Sequence, residues 1–166
     1  MRAKSPQRYG CEDYGFDYNI NGAIGEMMLA KHLNLYWAGA IGNKKAPDVS
    51  RYYQVRGTCR RDGRLIVHPP DEDHLPFVLA RVLLPEVHLV GWQYGRLAKV
   101  LAGNMTGPRP AYFVETADLE DMKTLPTESE LAAMFERAKV ARAPSSTCAS
   151  ILGRVCAPHE PRVPQE

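Results

Sequence analysis

No stretch of the 166-residue chain is apolar for long enough to cross a bilayer. No apolar segment follows the polar start Met1-Arg2-Ala3-Lys4 either, so a secretory leader is not expected and the expected compartment is the cytoplasm. Cysteine is scarce. Cys11, Cys59, Cys148 and Cys156 are the whole set, no two form a C-x-x-C unit, and no histidine completes a zinc spacing. Reduced thiols are therefore expected. His32, His68, His74, His88 and His159 share no spacing, and His68 and His88 are expected in or near strands as structural residues. Gly103 and Gly107 lack a following Lys-Ser/Thr, which excludes a phosphate loop there. There is no internal repeat, and a net charge of +2 is too small to name a partner.

What is present is enough apolar residue, 45%, for a real core at an ordinary charged content of 24%. The length suits one domain, expected over residues 1–142. The Pro- and Ser-rich stretch 143–166 is expected to be a disordered or loosely attached tail. Charge is unevenly spread. Between Lys31 and Arg64 eight basic residues face only Asp48 and Asp62, whereas between Glu115 and Glu136 seven acids face only Lys123. A basic segment in a near-neutral chain is the footprint expected of a polyanion site.

The pattern predicts a helix capped at Asn19 or Asn21 and running to about Leu33, then a strand near Leu35 to Trp37. Gly39 to Pro47 reads as a loop and Arg51 to Arg60 as a strand. Asp62-Gly63 signals a two-residue hairpin, with Leu65 to His68 as the returning strand. Phe77 to Val82 and Val87 to Trp92 read as buried strands, Tyr94 to Leu101 as a short helix, and Ala111 to Val114 as a last strand. Thr127-Glu128-Ser129-Glu130 is a capping box, followed by a helix to about Ala141 with Leu131, Met134, Phe135 and Ala138 on one face. The order is α+β, with antiparallel hairpins in the middle.

Two features carry chemistry. In the first helix Ile20, Ile24, Met27 and Met28 form an apolar stripe expected to face the core, and Glu26 falls nearly opposite. Its neighbours there are Gly22, Leu29, Ala30 and Leu33, small or apolar, and a carboxylate among them needs a cation or hydrogen bonds. Gly22 and Gly25 would let another backbone come close. The second feature is Asp48, six residues ahead of Gln54-Val55-Arg56. In a strand Gln54 and Arg56 share one face. A carboxylate, an amide oxygen and a cation close together suit metal-assisted hydrolysis of a phosphodiester. Trp92, Tyr52 and Tyr53 are expected to pack rather than to stack on bases.

The segments Asn21-Gly22-Ala23-Ile24-Gly25-Glu26, Ala46-Pro47-Asp48-Val49 and Tyr53-Gln54-Val55-Arg56 resemble the PD-(D/E)XK nucleases, whose pattern is a helix glutamate, a proline-aspartate and a strand Glu/Gln-x-Lys. The match is closer to phage and bacterial nuclease-like proteins of that superfamily. It extends through Arg64-Leu65-Ile66-Val67, Phe77-Val78-Leu79, Val90-Gly91-Trp92 and Tyr112-Phe113-Val114, roughly residues 20 to 125. The resemblance implies a restriction endonuclease-like core, a central mixed β-sheet with flanking helices. It also implies a Mg2+-dependent DNA endonuclease (Mn2+ an option) for phage or bacterial DNA processing, repair or resolution. Residue by residue, Glu26, Asp48, Gln54 and Arg56 take the catalytic positions. Asp48, Gln54, Glu26 and the Val55 backbone carbonyl are the implied metal ligands. Lys44, Lys45, Arg51, Arg60, Arg61 and Arg64 would flank the site and hold DNA phosphates. DNA is the implied partner, a membrane is not, and a homodimer is an option within the family. Arg56 departs from the usual lysine. It cannot act as a general base, yet it can clamp a phosphate. Gln54 removes one negative charge from the metal site. The alternative function is a nuclease fold kept for DNA binding or protein interaction without catalysis.

Overall fold

The computed structural model describes residues 15–37, 39, 47–102 and 110–142. The chain divides into two units, residues 1–131 and 132–166. The expected site lies entirely in the first. Lys44, Lys45, the Gly42-Asn43 turn, the Gly103–Gly107 loop and the segment 143–166 lie outside the described residues.

Helix α1 spans Gly15–His32, so it begins before Asn19 and neither Asn19 nor Asn21 caps it. Its end is set by Asn34, which takes a left-handed φ of 53°. Asn34 N–H donates to the Lys31 carbonyl at 3.2 Å and Leu35 N–H to the Ala30 carbonyl at 2.8 Å. That pair of bonds is a Schellman stop, which satisfies carbonyls the helix would otherwise leave open. The chain from Leu35 to Trp37 forms no strand, contrary to expectation.

Among the described residues five strands follow: β1 Gln54–Thr58, β2 Leu65–Val67, β3 Pro76–Leu83, β4 Glu86–Tyr94 and β5 Tyr112–Val114. Helix α2, Gly95–Leu101, separates β4 from β5, and helix α3, Glu128–Arg142, comes last. The class is α+β with a mixed sheet, as expected. β3 is central, parallel to β1 and antiparallel to β4, and its residues Pro76 to Ala80 are all buried. A buried run of this kind belongs between two neighbours, where both faces are covered.

β2 pairs with β5, antiparallel, in a separate two-stranded sheet. The expected β1–β2 hairpin is absent. A two-residue hairpin turn needs a positive φ at one or both central residues, and neither Asp62 nor Gly63 has one. The turn closes locally, with Gly63 N–H on the Arg60 carbonyl at 3.2 Å, and then the strands part. Leu65 and Val67 are buried opposite Val114 and Tyr112 instead.

The face of α1 that meets the sheet is also not the expected one. Ile20 and Met27 are exposed, while Gly25, Leu29 and Ala30 are buried. A Cβ on Gly25 would lie 3.0 Å from Ala80 Cβ and 3.3 Å from Val55 Cγ1. A Cβ on Gly57 would lie 3.3 Å from the Asn21 carbonyl oxygen. Gly25 thus lets helix and sheet approach closely, as expected of it, and Gly57 does the same from the strand, whereas a Cβ on Gly22 would meet nothing within 4 Å.

Trp92 and Tyr53 are buried in the packing, as expected. Trp92 Nε1 donates to the Asp121 carbonyl at 3.1 Å and Thr124 Oγ1 at 3.2 Å. The capping box forms: Thr127 N–H donates to Glu130 Oε2 at 2.7 Å and Glu130 N–H to Thr127 Oγ1 at 3.4 Å. Cys59, expected as a free thiol, is disulfide-bonded, with its partner outside the described residues. Sequence spacing carries no information on pairing between distant cysteines.

Candidate active site

The site is built around the start of β1. Val49 and Tyr53 exchange backbone bonds of 3.2 Å each, and Asp48 N–H donates to the Tyr53 carbonyl at 2.9 Å. This closes a tight turn in which Ser50 takes a φ of 59°. The turn is anchored twice from downstream. Ser50 Oγ bonds the Glu128 carboxylate, and Tyr53 OH donates to the Pro126 carbonyl at 2.8 Å. Asp48 is thereby folded back along the strand it precedes, and its Oδ2 accepts from Val55 N–H at 2.8 Å.

Val55 faces α1, so its neighbours Gln54 and Arg56 face the other way. Glu26 stands on α1 one residue past Gly25, and its Oε2 accepts from Trp37 Nε1 at 3.1 Å. Burial is the main cause pushing the Glu26 carboxyl above its ordinary pKa; the Trp37 bond opposes this and the Asp48 charge adds to it. The Asp48 carboxyl is also raised, first by burial. The Val55 N–H and the Arg56 cation pull it back, and the Asp71 charge opposes them.

Arg56 is held at several points. Its Nε donates to the Ile66 carbonyl at 3.2 Å and its Nη2 to Asp71 Oδ2 at 2.8 Å. Its guanidinium lies 5.1 Å from the centre of the Phe77 ring. The Asp48 charge therefore acts on Glu26 and the Arg56 cation on Asp48, with Glu26 arriving from the α1 side of β1 and Arg56 leaving from the opposite side. Gln54 is half-buried one turn of the strand earlier, on the Arg56 face.

Searches against protein-family models, curated proteins and solved structures each found no match.

A divalent metal is tested against these residues by their donors. Among the described residues no three His, Cys, Asp or Glu side chains converge on a common point. What the site offers is two part-buried carboxylates, the Asp48 charge acting on Glu26, each with one oxygen bonded by an N–H. Magnesium commonly binds through one or two carboxylates and keeps several waters, so the pair fits it. A cation would also relieve the burial and like charge that oppose ionisation here.

The expected DNA contacts divide. Arg51 lies on the Asp48 turn, exposed, and Arg61 is exposed beyond the far end of β1. Neither has an acidic partner among the described residues. Arg60 is paired with Asp62 through two bonds of 3.0 and 2.9 Å, and Arg64 with Glu115 at 2.9 Å. Arg64 also lies 4.9 Å from the Phe113 ring centre.

Three contributors lie outside the sequence reading of the site: Trp37, Asp71 and Lys99. The density of acid in Asp71-Glu72-Asp73, directly after Pro69-Pro70, was the available signal for a loop that receives cations.

Proposed function

We propose that this protein is a metal-dependent deoxyribonuclease that hydrolyses phosphodiester bonds in DNA. The observation that carries the reading is that the Asp48 charge acts on the part-buried Glu26 carboxylate while Arg56 acts on Asp48 from the other face of β1. The order of parts (a helix acid, an aspartate turn and a strand Gln-x-Arg) supports the resemblance to the PD-(D/E)XK nucleases, and the mixed sheet is compatible with a restriction endonuclease-like core.

Asp48 and Glu26 would hold Mg2+, with the Gln54 amide oxygen and the Val55 carbonyl as further oxygen donors. When bound, the ion supplies positive charge against the phosphate and lowers the barrier to attack by water. The rest falls to the chain. Trp37 keeps the Glu26 carboxylate oriented, and Val55 N–H does the same for Asp48. Arg56 keeps its proton, so its contribution is a fixed charge aimed at the phosphate.

A second reading, a DNA-binding module without catalysis, is favoured by one observation. The Arg56 side chain is already engaged by Asp71 and the Ile66 carbonyl. The two readings separate on supercoiled plasmid and branched DNA, incubated with Mg2+, Mn2+ or chelator beside Asp48→Ala. The expected result is metal-dependent nicking that Asp48→Ala abolishes. DNA binding without cleavage under every condition would favour the silent module.

A further inference from the structure

We propose that Asp71 is a positioning residue that holds the Arg56 guanidinium beside Asp48, and that Lys99 fixes the loop carrying Asp71, so that Arg56 meets a DNA phosphate in one orientation. This rests on the nuclease reading and extends it to two residues outside the helix-acid, aspartate and Gln-x-Arg pattern.

Asp71 Oδ2 receives two donors. One is Arg56 Nη2 at 2.8 Å, the other His68 N–H at 2.8 Å. The Asp71 N–H closes the same turn on the His68 carbonyl at 3.0 Å. The carboxylate is thus fixed before it fixes the arginine. The Arg56 and Asp71 side chains are only 27% and 19% exposed, so solvent competes weakly for the pair. Of the Arg56 donors, Nη1 has no partner among the described residues, which leaves it for a phosphate oxygen.

Lys99 reaches the loop from the other side. Its Nζ donates to the Asp71 carbonyl at 2.6 Å, the Pro69 carbonyl at 3.1 Å and Asp73 Oδ1 at 2.7 Å. The start of α2 closes on the same segment. Arg96 N–H donates to the Asp73 carbonyl at 2.9 Å, and any Cβ on Gly95 would collide with the Glu72 carbonyl oxygen. Residues 68–73 are therefore wedged between β1 and α2, with a cation bound on each side. A fixed charge that can neither give nor take a proton acts only through where it is held, and small misplacements of such a group cost about 10²-fold in rate.

The test uses the full chain and compares wild type, Asp71→Asn, Asp71→Glu, Arg56→Ala, Lys99→Met and the Arg56→Ala/Asp71→Ala double variant. Steady-state DNA cleavage with Mg2+, the melting temperature and the Arg56 Nε–H NMR signal are read for each. Asparagine keeps an oxygen for His68 N–H, so it removes the charge pairing without dismantling the turn. The expected result for Asp71→Asn is kcat lower by about 10²-fold with KM within about two-fold. Lys99→Met is expected to lower kcat in the same way by a smaller factor. Asp71→Glu restores part of the loss, and the double variant is no slower than Arg56→Ala. The Arg56 Nε–H signal, sharp in wild type, broadens in Asp71→Asn. Asp71→Asn cleaving at the wild-type rate, or losses that multiply in full in the double variant, would overturn the proposal and leave the nuclease reading standing. A wild type that cuts no DNA overturns the nuclease reading and this role with it, even where the NMR signal shows Arg56 held by Asp71.

Discussion

Glu26 and Asp48 are two carboxylates that the fold makes reluctant to ionise. Burial raises both from their ordinary values, and the Asp48 charge works against Glu26. A folded-state pKa above the unfolded value means that folding favours the protonated form. Each group's contribution to stability is then fully present below its unfolded pKa and is lost as pH rises through the folded pKa. At neutral pH both therefore weigh against the fold, a common condition of groups kept for chemistry. Glu26→Gln removes one of the charges and keeps an oxygen for Trp37 Nε1. Its melting temperature is expected to exceed that of wild type at about pH 8, with the difference shrinking toward about pH 4. A variant no more stable than wild type at the higher pH would show that the charge is not costly. Glu26 stood out in the sequence because its helical neighbours are small or apolar. Trp37 and Asp71 did not, since a partner supplied by a loop obeys no period.

At the scale of elements, helix α1 shows what periodicity misses. Counting hydrophobic side chains selects Ile20 and Met27, yet the sheet receives Gly25, Leu29 and Ala30. Glycine contributes nothing to a hydrophobic stripe and much to how near two backbones can come. Two substitutions separate these effects. Gly22→Ala adds a methyl with nothing within 4 Å, so it gains helix propensity freely and should stabilise by roughly 0.5–1 kcal/mol. Gly25→Ala gains the same propensity, but its methyl meets Ala80 Cβ at 3.0 Å. Overpacking of about 1–3 kcal/mol makes the net effect a loss. Urea unfolding of the two variants reads the signs directly, and equal shifts would refute the packing of α1 described here. The missing β1–β2 hairpin has a similar lesson. Asp62-Gly63 is a good turn dipeptide, but residue type permits a positive φ without requiring it, and the burial of Leu65 and Val67 against β5 decides the pairing.

For the molecule, the uneven spread of charge was legible and its outcome was not. Part of the basic segment is answered within the fold, since Arg60 meets Asp62 and Arg64 meets Glu115. Both pairs are exposed to solvent and so held weakly enough for a phosphate to displace the carboxylate. Arg51 and Arg61 lack even that competition among the described residues. Replacing both with alanine is expected to weaken DNA binding and to flatten its dependence on salt by about two in the logarithmic slope, near one per phosphate contact. Anisotropy titrations across a range of salt give that slope, and an unchanged value would remove these arginines from the interface. The strands themselves were mostly readable, because β3 and β4 are long and apolar. The partners of β1 and β2 were not, because pairing between distant segments leaves no local trace.

That long-range pairing has a consequence for how the protein comes into being. β1 ends at Thr58 and waits for β3 at Pro76, while β2 ends at Val67 and waits for β5 at Tyr112. The turn carrying Asp48 is fastened still later, by Pro126 and Glu128. A nascent chain that has emerged only as far as β4 already carries Glu26, Asp48, Gln54 and Arg56, yet the Asp48 turn still lacks its Pro126 and Glu128 contacts and β2 still lacks β5. Contacts of this span are slow to form. On the proposed nuclease reading, the site would be complete only once the chain has passed Glu128.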